Sequence, residues 1–329
     1  MWWWFALGCR IEVGPPGGDA RTCADEAPSG EVWIYTSLYA SVLDALEPAL
    51  REALPGIEPR FFQAGSEKVA QRFEAEESAG GSPACLLLTS DPAWYLGLAA
   101  AGRLRPHLSP TVLQLDRDWV DPEGRWAASR VSVMAIGAPA DLVDPPTRFS
   151  DLAAPRFAGR VSMPDPLASG TAFTWLAFAT QDGWESVDAL RAGGLVAAGG
   201  NAAVQSRVES GERPIGILLA ENVLAAQRKG SPIQVIYPED GAVAIPGPVA
   251  IPAGCPNPAA AAAVEDWLLS PAAQAILATG EMYPALPGVP GPVGAPPLDA
   301  IVLRPWTPAV RARLDRDAAA IKARWAQPP

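Results

Sequence analysis

Continuous apolar runs alternate with amphipathic segments along most of the chain. In residues 31–36 (EVWIYT) the apolar positions are nearly continuous, as in a buried strand. In the segment that follows, Val42, Leu43, Leu46 and Leu50 recur at helical spacing. The first hundred residues repeat this strand–helix order, which predicts a largely parallel sheet covered by helices on both faces.

The same patterns place the other elements. Beyond 31–36, we expect strands at residues 59–63, 85–89, 130–135, 161–163, 214–219 and 233–237. We expect helices that start at Ser37 and Ser66 and others over 93–101, 171–181, 184–192, 201–210, 221–229, 258–269, 270–279 and 307–325. The strand at 130–135 and the segment 241–251 are interpreted as crossovers, so the expected fold is α/β, with two lobes joined by crossover strands.

The turn after residues 161–163 carries the strongest chemical signal. Ser169-Gly170-Thr171 follows Pro164 and Pro166 and opens directly onto an apolar helical run, AFTWLAFAT. A helix that starts with Ser-Gly-Thr presents unpaired backbone N–H groups and two hydroxyls at one point. Such a point can hold an anion without a catalytic residue, although a simple helix cap is the alternative interpretation.

Similar polar turns follow the other predicted strands. In open α/β sheets, ligands bind beyond the carboxyl ends of the strands, so these turns are expected to converge on one cleft. The predicted ligand-binding residues are Thr36, Ser37, Gly65, Ser66, Ser90, Ser169, Gly170, Thr171, Asn201, Glu221, Asn222 and Asp240.

Composition narrows the function. The 329 residues carry a formal net charge of −11, which argues against a nucleic-acid binder because such proteins present a basic face. The one histidine, His107, lies in a proline-flanked loop, RLRPHLSP, and is expected to be an exposed loop residue. No acid–base set, metal-type cysteine spacing or cofactor motif is evident, so we expect neither catalysis nor a bound metal or cofactor.

The cysteines leave one question open. Cys85 lies in an apolar strand, ACLLLT, and Cys255 in a loop, AGCPNP. In an oxidising compartment either a Cys85–Cys255 or a Cys23–Cys255 disulfide is possible, and the sequence does not choose between them.

The N-terminus also allows two interpretations. MWWWFALGC is apolar and ends in the small-residue-then-cysteine pattern of a lipoprotein cleavage site. In that interpretation Cys9 is lipidated and residues 10–30 form a flexible tether; the alternative is a hydrophobic N-terminus with no anchor. No later segment is apolar for long enough to span a membrane.

In order and spacing, several segments resemble the periplasmic solute-binding proteins of ABC importers. They include VWIYTSLYASVLDALEPAL, LLTSDPAWYLGLAAAGRL, FSDLAAPRFAGRVSMPDPLASGTAFT, VESGERPIGILLAENVL and YPEDGAVAIPGPVAI. The resemblance implies the type 2 two-lobed fold, export to the periplasm or the outer face of the cytoplasmic membrane, a monomer, and delivery of a ligand to a permease. It places lobe 1 at residues 31–129 and 243–290, and lobe 2 at 130–242 and 291–329.

Within that group, the resemblance to organophosphate- and phosphonate-binding members is stronger than that to ferric-ion-binding members. The ferric members use a pair of adjacent tyrosines, and this chain has none at residues 218–222 (LLAEN). The resemblance implies a phosphate held at Ser169, Gly170 and Thr171, with Glu221 and Asn222 at the tyrosine positions. The alternatives are a ferric-ion carrier with non-tyrosine ligands and, less favoured, a transferase on the same fold.

Overall fold

The computed structural model describes residues 27–328. The strands are β1 (Gly30–Thr36), β2 (Ile57–Gln63), β3 (Ala84–Leu88), β4 (Leu104–Arg105), β5 (Ala127–Pro139), β6 (Val161–Met163), β7 (Val196–Ala197), β8 (Ile215–Leu219), β9 (Ile233–Ile236), β10 (Val243–Pro252) and β11 (Tyr283–Pro284). The helices are α1 (Ala40–Ala53), α2 (Ser66–Ser78), α3 (Pro92–Ala100), α4 (Gly170–Ala179), α5 (Glu185–Ala192), α6 (Asn201–Ser210), α7 (Ala220–Arg228), α8 (Pro258–Leu268), α9 (Pro271–Thr279) and α10 (Pro308–Trp325).

Two parallel sets of strands define two lobes. In lobe 1, β1 lies between β2 and β3 and pairs with both in parallel. In lobe 2, β6 lies between β7 and β8 and is again parallel to both. Strands that run in parallel need helical crossovers, and the alternation of strands with α1–α3 and α4–α7 supplies them. The predicted two-lobed α/β fold is confirmed.

Two long antiparallel strands connect the lobes. β10 pairs with β3 of lobe 1 and with β5, and β5 pairs in turn with β8 of lobe 2. The main path through the sheet is β2-β1-β3-β10-β5-β8-β6-β7, with β4 paired to β10 and both β9 and β11 paired to β5. Both predicted crossovers are therefore present, but β5 is longer than the predicted 130–135 because its apolar run is buried from Ala127 onward.

Each lobe has its own apolar core. In lobe 1, Val42, Leu43, Leu46 and Leu50 of α1 are all buried, as their helical spacing predicts. The first helix begins at Ala40 and not at Ser37, because the chain turns once more after β1. In lobe 2, α4 is buried on nearly every side, which explains its uniformly apolar sequence. Helix α10 packs against both α3 and α4 and so touches both lobes.

The structure contains the disulfide Cys85–Cys255, with the two Cα atoms 4.6 Å apart. It joins β3 to the loop after β10, across 170 residues of sequence. Of the two pairings that the sequence allowed, this is the one formed. Cys9, Cys23 and most of the predicted tether lie outside the described residues. Between residues 27 and 328, no helix combines the length and hydrophobicity needed to cross a bilayer.

Candidate functional site

A cavity of about 200 Å³ lies where the strands of the two lobes end. Each parallel strand contributes the residues just beyond its carboxyl end, which is where the topology of an α/β sheet opens a crevice. The lining consists of Ser37, Tyr39, Gly65, Ser66, Ser90, Arg130, Ala168, Ser169, Gly170, Thr171, Gly200, Asn201, Ala202, Leu219, Glu221 and Met282. Most of the polar turns that the sequence singled out therefore meet in one place.

The start of α4 forms one wall of the cavity. Ser169 is the N-cap, and its hydroxyl accepts a hydrogen bond from the backbone N–H of Ala172. The hydroxyls of Ser169 and Thr171 lie 3.1 Å apart, and the amide of Asn201 donates to the Thr171 hydroxyl at the same distance. The Asn201 carbonyl oxygen in turn accepts from the backbone N–H of Leu219. This chain of bonds fixes the Thr171 hydroxyl at the N-terminus of a ten-residue helix, a position that favours an anion.

At Gly170 the two lobes come into close contact. A Cβ atom at this position would lie 2.5 Å from the Cβ of Asp91 and 3.0 Å from the carbonyl oxygen of Ser90. Those distances leave no room for any side chain, so glycine is required for the backbone of lobe 2 to approach lobe 1 this closely.

Arg130 contributes a buried positive charge. It lies on β5, its side chain lines the cavity, and only 1% of the residue is exposed. Its Nη2 donates to the hydroxyl of Ser90 over 2.6 Å and its Nη1 to the hydroxyl of Ser129 over 3.4 Å, whereas Nε has no hydrogen-bond partner. Within residues 27–328 no carboxylate lies within ion-pair distance of the guanidinium. Gly247 on β10 makes room for it, because a Cβ there would lie 2.8 Å from Arg130 Cγ.

A buried guanidinium without a direct ion pair is costly, although the charge of Glu221 in the same cavity offsets part of this cost. Desolvation lowers the pKa of Arg130, but an arginine stays charged in proteins. Removing such a charge from water costs several kcal/mol unless an anion or several hydrogen bonds replace the water. The cavity therefore has a positive charge that is only partly balanced by Glu221, beside the positive end of the α4 dipole.

Glu221 is the acidic residue of the cavity lining. It lies in the first turn of α7 and is 5% exposed. Burial raises its pKa to about 7, although the charge of Arg130 opposes that shift. Near neutral pH this carboxyl group is therefore close to its titration midpoint, so it can accept hydrogen bonds when ionised or donate one when protonated.

The structure places three of the predicted residues outside the cavity lining. Thr36 is fully buried, and its hydroxyl accepts from the backbone N–H of Leu38. The side chain of Asn222 is bonded to Tyr39 and Gln205. Asp240 lies elsewhere in lobe 2, where its carboxylate accepts from the backbone N–H groups at residues 149 and 150. All three side chains are thus bonded to other groups of the protein.

Several lining residues were missed by the sequence analysis, above all Tyr39 and Arg130. Tyr39 is the N-cap residue of α1, and its hydroxyl donates to Asn222 over 2.9 Å. A lone arginine at the start of an otherwise apolar strand, RVSVMAIG, was the available signal for Arg130.

His107 lies away from the cavity, where its ring nitrogen bonds to Asp266 at 2.9 Å. Between residues 27 and 328 there is no cluster of three or more His, Cys, Asp or Glu side chains that would hold a metal ion.

Two α/β lobes that meet at a polar cavity, joined by two long strands, define the type 2 periplasmic-binding-protein fold. The chain belongs to the bacterial extracellular solute-binding protein family, whose family profile matches residues 87–299. That span covers more than half of the chain and includes most of the cavity residues. Members of this family bind a small solute outside the cytoplasm and deliver it to an ABC permease.

Solved structures with the same fold bind different ligands. AfuA from Actinobacillus pleuropneumoniae, solved with exogenous fructose-6-phosphate bound, is 18% identical with a TM-score of 0.79, covering 91% of this chain and 98% of that one. Iron-bound HitA from Pseudomonas aeruginosa is 19% identical with a TM-score of 0.79, covering 90% and 99%. An uncharacterised protein of Haemophilus influenzae is 23% identical over 256 residues, covering 73% of each chain. At these identities the structural likeness establishes the fold and leaves the ligand open.

Proposed function

We propose that this protein captures a small anionic or zwitterionic organic solute, with a phosphate ester or a phosphonate favoured, and hands it unchanged to an ABC permease. The observation that supports the anionic group most directly is the buried guanidinium of Arg130 beside the N-terminus of α4, which forms no direct ion pair within residues 27–328. A phosphate or phosphonate group offers this site several acceptor oxygens and a negative charge, which matches a charged donor together with hydroxyls and free backbone N–H groups.

The rest of the solute is expected to reach Glu221. This carboxyl group lines the same small cavity, where the Ser132 hydroxyl and the charge of Arg130 limit the rise of its pKa. An amine or a hydroxyl on the solute would satisfy it. The cavity of about 200 Å³ suits a small organic molecule better than a disaccharide or a peptide.

The chemistry of the lining does not favour a ferric ion. Fe(III) requires several hard anionic oxygen ligands, whereas the cavity offers one carboxylate, the hydrogen-bonded phenol of Tyr39 and the repelling charge of Arg130. The lining also lacks a paired nucleophile and base, so we propose binding and release without catalysis or a cofactor.

For the whole molecule, we propose a monomer outside the cytoplasm. A lipid on Cys9 anchors it to the membrane, and the segment 1–30 links this anchor to the two lobes. We place lobe 1 at residues 31–129 and 243–290, and lobe 2 at 130–242 and 291–329. The long paired strands β5 and β10 support boundaries near residues 130 and 242.

A thermal-shift screen tests the ligand class. The probes are fructose 6-phosphate, glycerol 3-phosphate, an aminoalkyl phosphonate, inorganic phosphate, ferric citrate and uncharged glycerol. A probe present at 100 times its Kd should stabilise the protein by about 2.7 kcal/mol. Stabilisation by the phosphate esters or the phosphonate supports the proposal, and stabilisation by ferric citrate alone refutes it.

A further inference from the structure

Helix α7 of lobe 2 contacts lobe 1 near both of its ends. Near its start, the Asn222 side-chain oxygen accepts a hydrogen bond from Tyr39, which lies between β1 and α1. At its end, Arg228 forms an ion pair with Glu281, which follows α9. Both partners are adjacent to the cavity, since Tyr39 lines it and Glu281 precedes the lining residue Met282.

The contact between Tyr39 and Asn222 is well defined. Asn222 is 6% exposed, and its NH₂ group donates to the side-chain oxygen of Gln205 on α6 over 3.4 Å. That second bond directs the Asn222 carbonyl oxygen toward Tyr39, 2.9 Å away. Because the amide is used on both sides by protein groups, it has little capacity left for a solute.

The contact at the other end involves a residue in an unusual backbone conformation. Glu281 has a φ of 65°, although it is not glycine, and the residue is 3% exposed. Non-glycine residues keep such a conformation only where surrounding contacts favour it, and this often occurs at functional sites. Arg228 is half-exposed and supplies the charge that this buried carboxylate needs.

We propose that α7 is an interlobe clasp: the Tyr39–Asn222 hydrogen bond and the Arg228–Glu281 ion pair hold the lobes closed over the cavity without binding the solute. Tyr39 and Asn222 are then positioning residues. Their loss shifts the balance between closed and open forms toward the open form. The clasp itself concerns only lobe closure. Its consequence, that a bound solute leaves more slowly, rests on the proposed function.

Small-angle X-ray scattering of the full chain without any added ligand tests the clasp. A neutral hydrogen bond corresponds to roughly a 5-fold change in an equilibrium. We therefore expect Tyr39→Phe and Asn222→Ala each to lower the closed-to-open ratio about 5-fold and to increase the radius of gyration. The double variant should match the single ones, because both remove the same bond. Arg228→Gln should also increase the radius of gyration.

Tyr35→Phe is the matched control. It removes the same hydroxyl group from the same region, but Tyr35 bonds to Glu76 at 2.8 Å within lobe 1. Its radius of gyration should equal that of the wild type. If Tyr39→Phe and the wild type scatter identically, or if Tyr35→Phe opens the protein as much as Tyr39→Phe, the clasp is refuted. Because no ligand is used, this result is independent of whether phosphate esters bind.

Discussion

The Arg130 guanidinium donates a 2.6 Å hydrogen bond to the Ser90 hydroxyl, and this bond directs a buried cation into the cavity between the lobes. Ser90 belongs to lobe 1, whereas Arg130 lies on the strand that crosses toward lobe 2. The positive charge is thus positioned by one lobe and faces the α4 N-terminus of the other. A solute anion placed there would contact both lobes at once, which is how binding can stabilise closure.

Thr171→Val should weaken solute binding about 5- to 10-fold and leave the fold intact. The substitution removes a fixed hydroxyl that is available at the start of α4, and it costs a charge-assisted hydrogen bond to the anion. Isothermal titration calorimetry with the best probe of the thermal-shift screen measures the change.

Thr174→Val is the control for that experiment. Thr174 lies one turn further along α4, is fully buried, and donates to the carbonyl oxygen of Gly170 outside the cavity lining. Equal affinities for Thr171→Val and the wild type would remove Thr171 from the site.

Gly170→Ala should prevent full closure. The added methyl group would overlap with Asp91 and with the Ser90 backbone, so the lobes must move apart or the helix must shift. We expect at least a 10-fold loss of affinity for the same probe, with a melting temperature within a few degrees of the wild type. Gly97→Ala, in α3, is the control because its Cβ would meet nothing within 4 Å. An unchanged affinity for Gly170→Ala would show that the observed approach of the lobes is not needed for binding.

The stability of the protein should fall as pH rises through neutrality, in part because of Glu221. Its pKa is about 7 in the folded protein against an ordinary value of 4.5, so the folded state binds the proton more tightly than the unfolded state. That contribution is fully present below about pH 4.5 and is lost as pH rises through 7. Over this window the loss is about 3 kcal/mol.

Urea denaturation at pH 5 and pH 8 measures this effect. Glu221→Gln should reduce the difference in unfolding free energy between the two pH values, whereas Glu209→Gln, at an exposed position on α6, should not. Asp91, whose pKa burial raises to about 6, contributes in the same direction and should keep a residual pH dependence in the Glu221 variant. An identical pH dependence in Glu221→Gln and the wild type would contradict the assignment.

The disulfide should make a large contribution to stability. Cys85 and Cys255 are both buried and lie 170 positions apart in the sequence, so reduction releases a long loop in the unfolded state. We expect reduction to lower the unfolding free energy by about 2–5 kcal/mol. The variant with both residues changed to alanine serves as the control, because its denaturation curve should not respond to a reducing agent. A wild-type curve that is equally insensitive would argue against the bridge in solution.

Local sequence signals predicted part of the site, and the topology determined the rest. Ser169-Gly170-Thr171 was predictable because a cap residue and the start of a helix are local features. Arg130 was not, because its position depends on the pairing of β5 with β10 and on the space left by Gly247. Asp240 was predicted to bind the ligand but lies away from the cavity. Its carboxylate in the PEDG turn accepts hydrogen bonds from the backbone N–H groups of residues 149 and 150, a long-range contact that the sequence does not indicate.

The central claim is that Arg130 binds the anionic group of the solute, and calorimetric titration of Arg130→Met with a phosphate ester tests it most directly. Arg207→Met is the matched control, because Arg207 lies on α6 outside the cavity lining and donates to the backbone carbonyl of Ala198. We predict that Arg130→Met loses binding by at least 100-fold, about 2.8 kcal/mol or more, while Arg207→Met binds like the wild type. Binding by Arg130→Met with wild-type affinity would contradict the account.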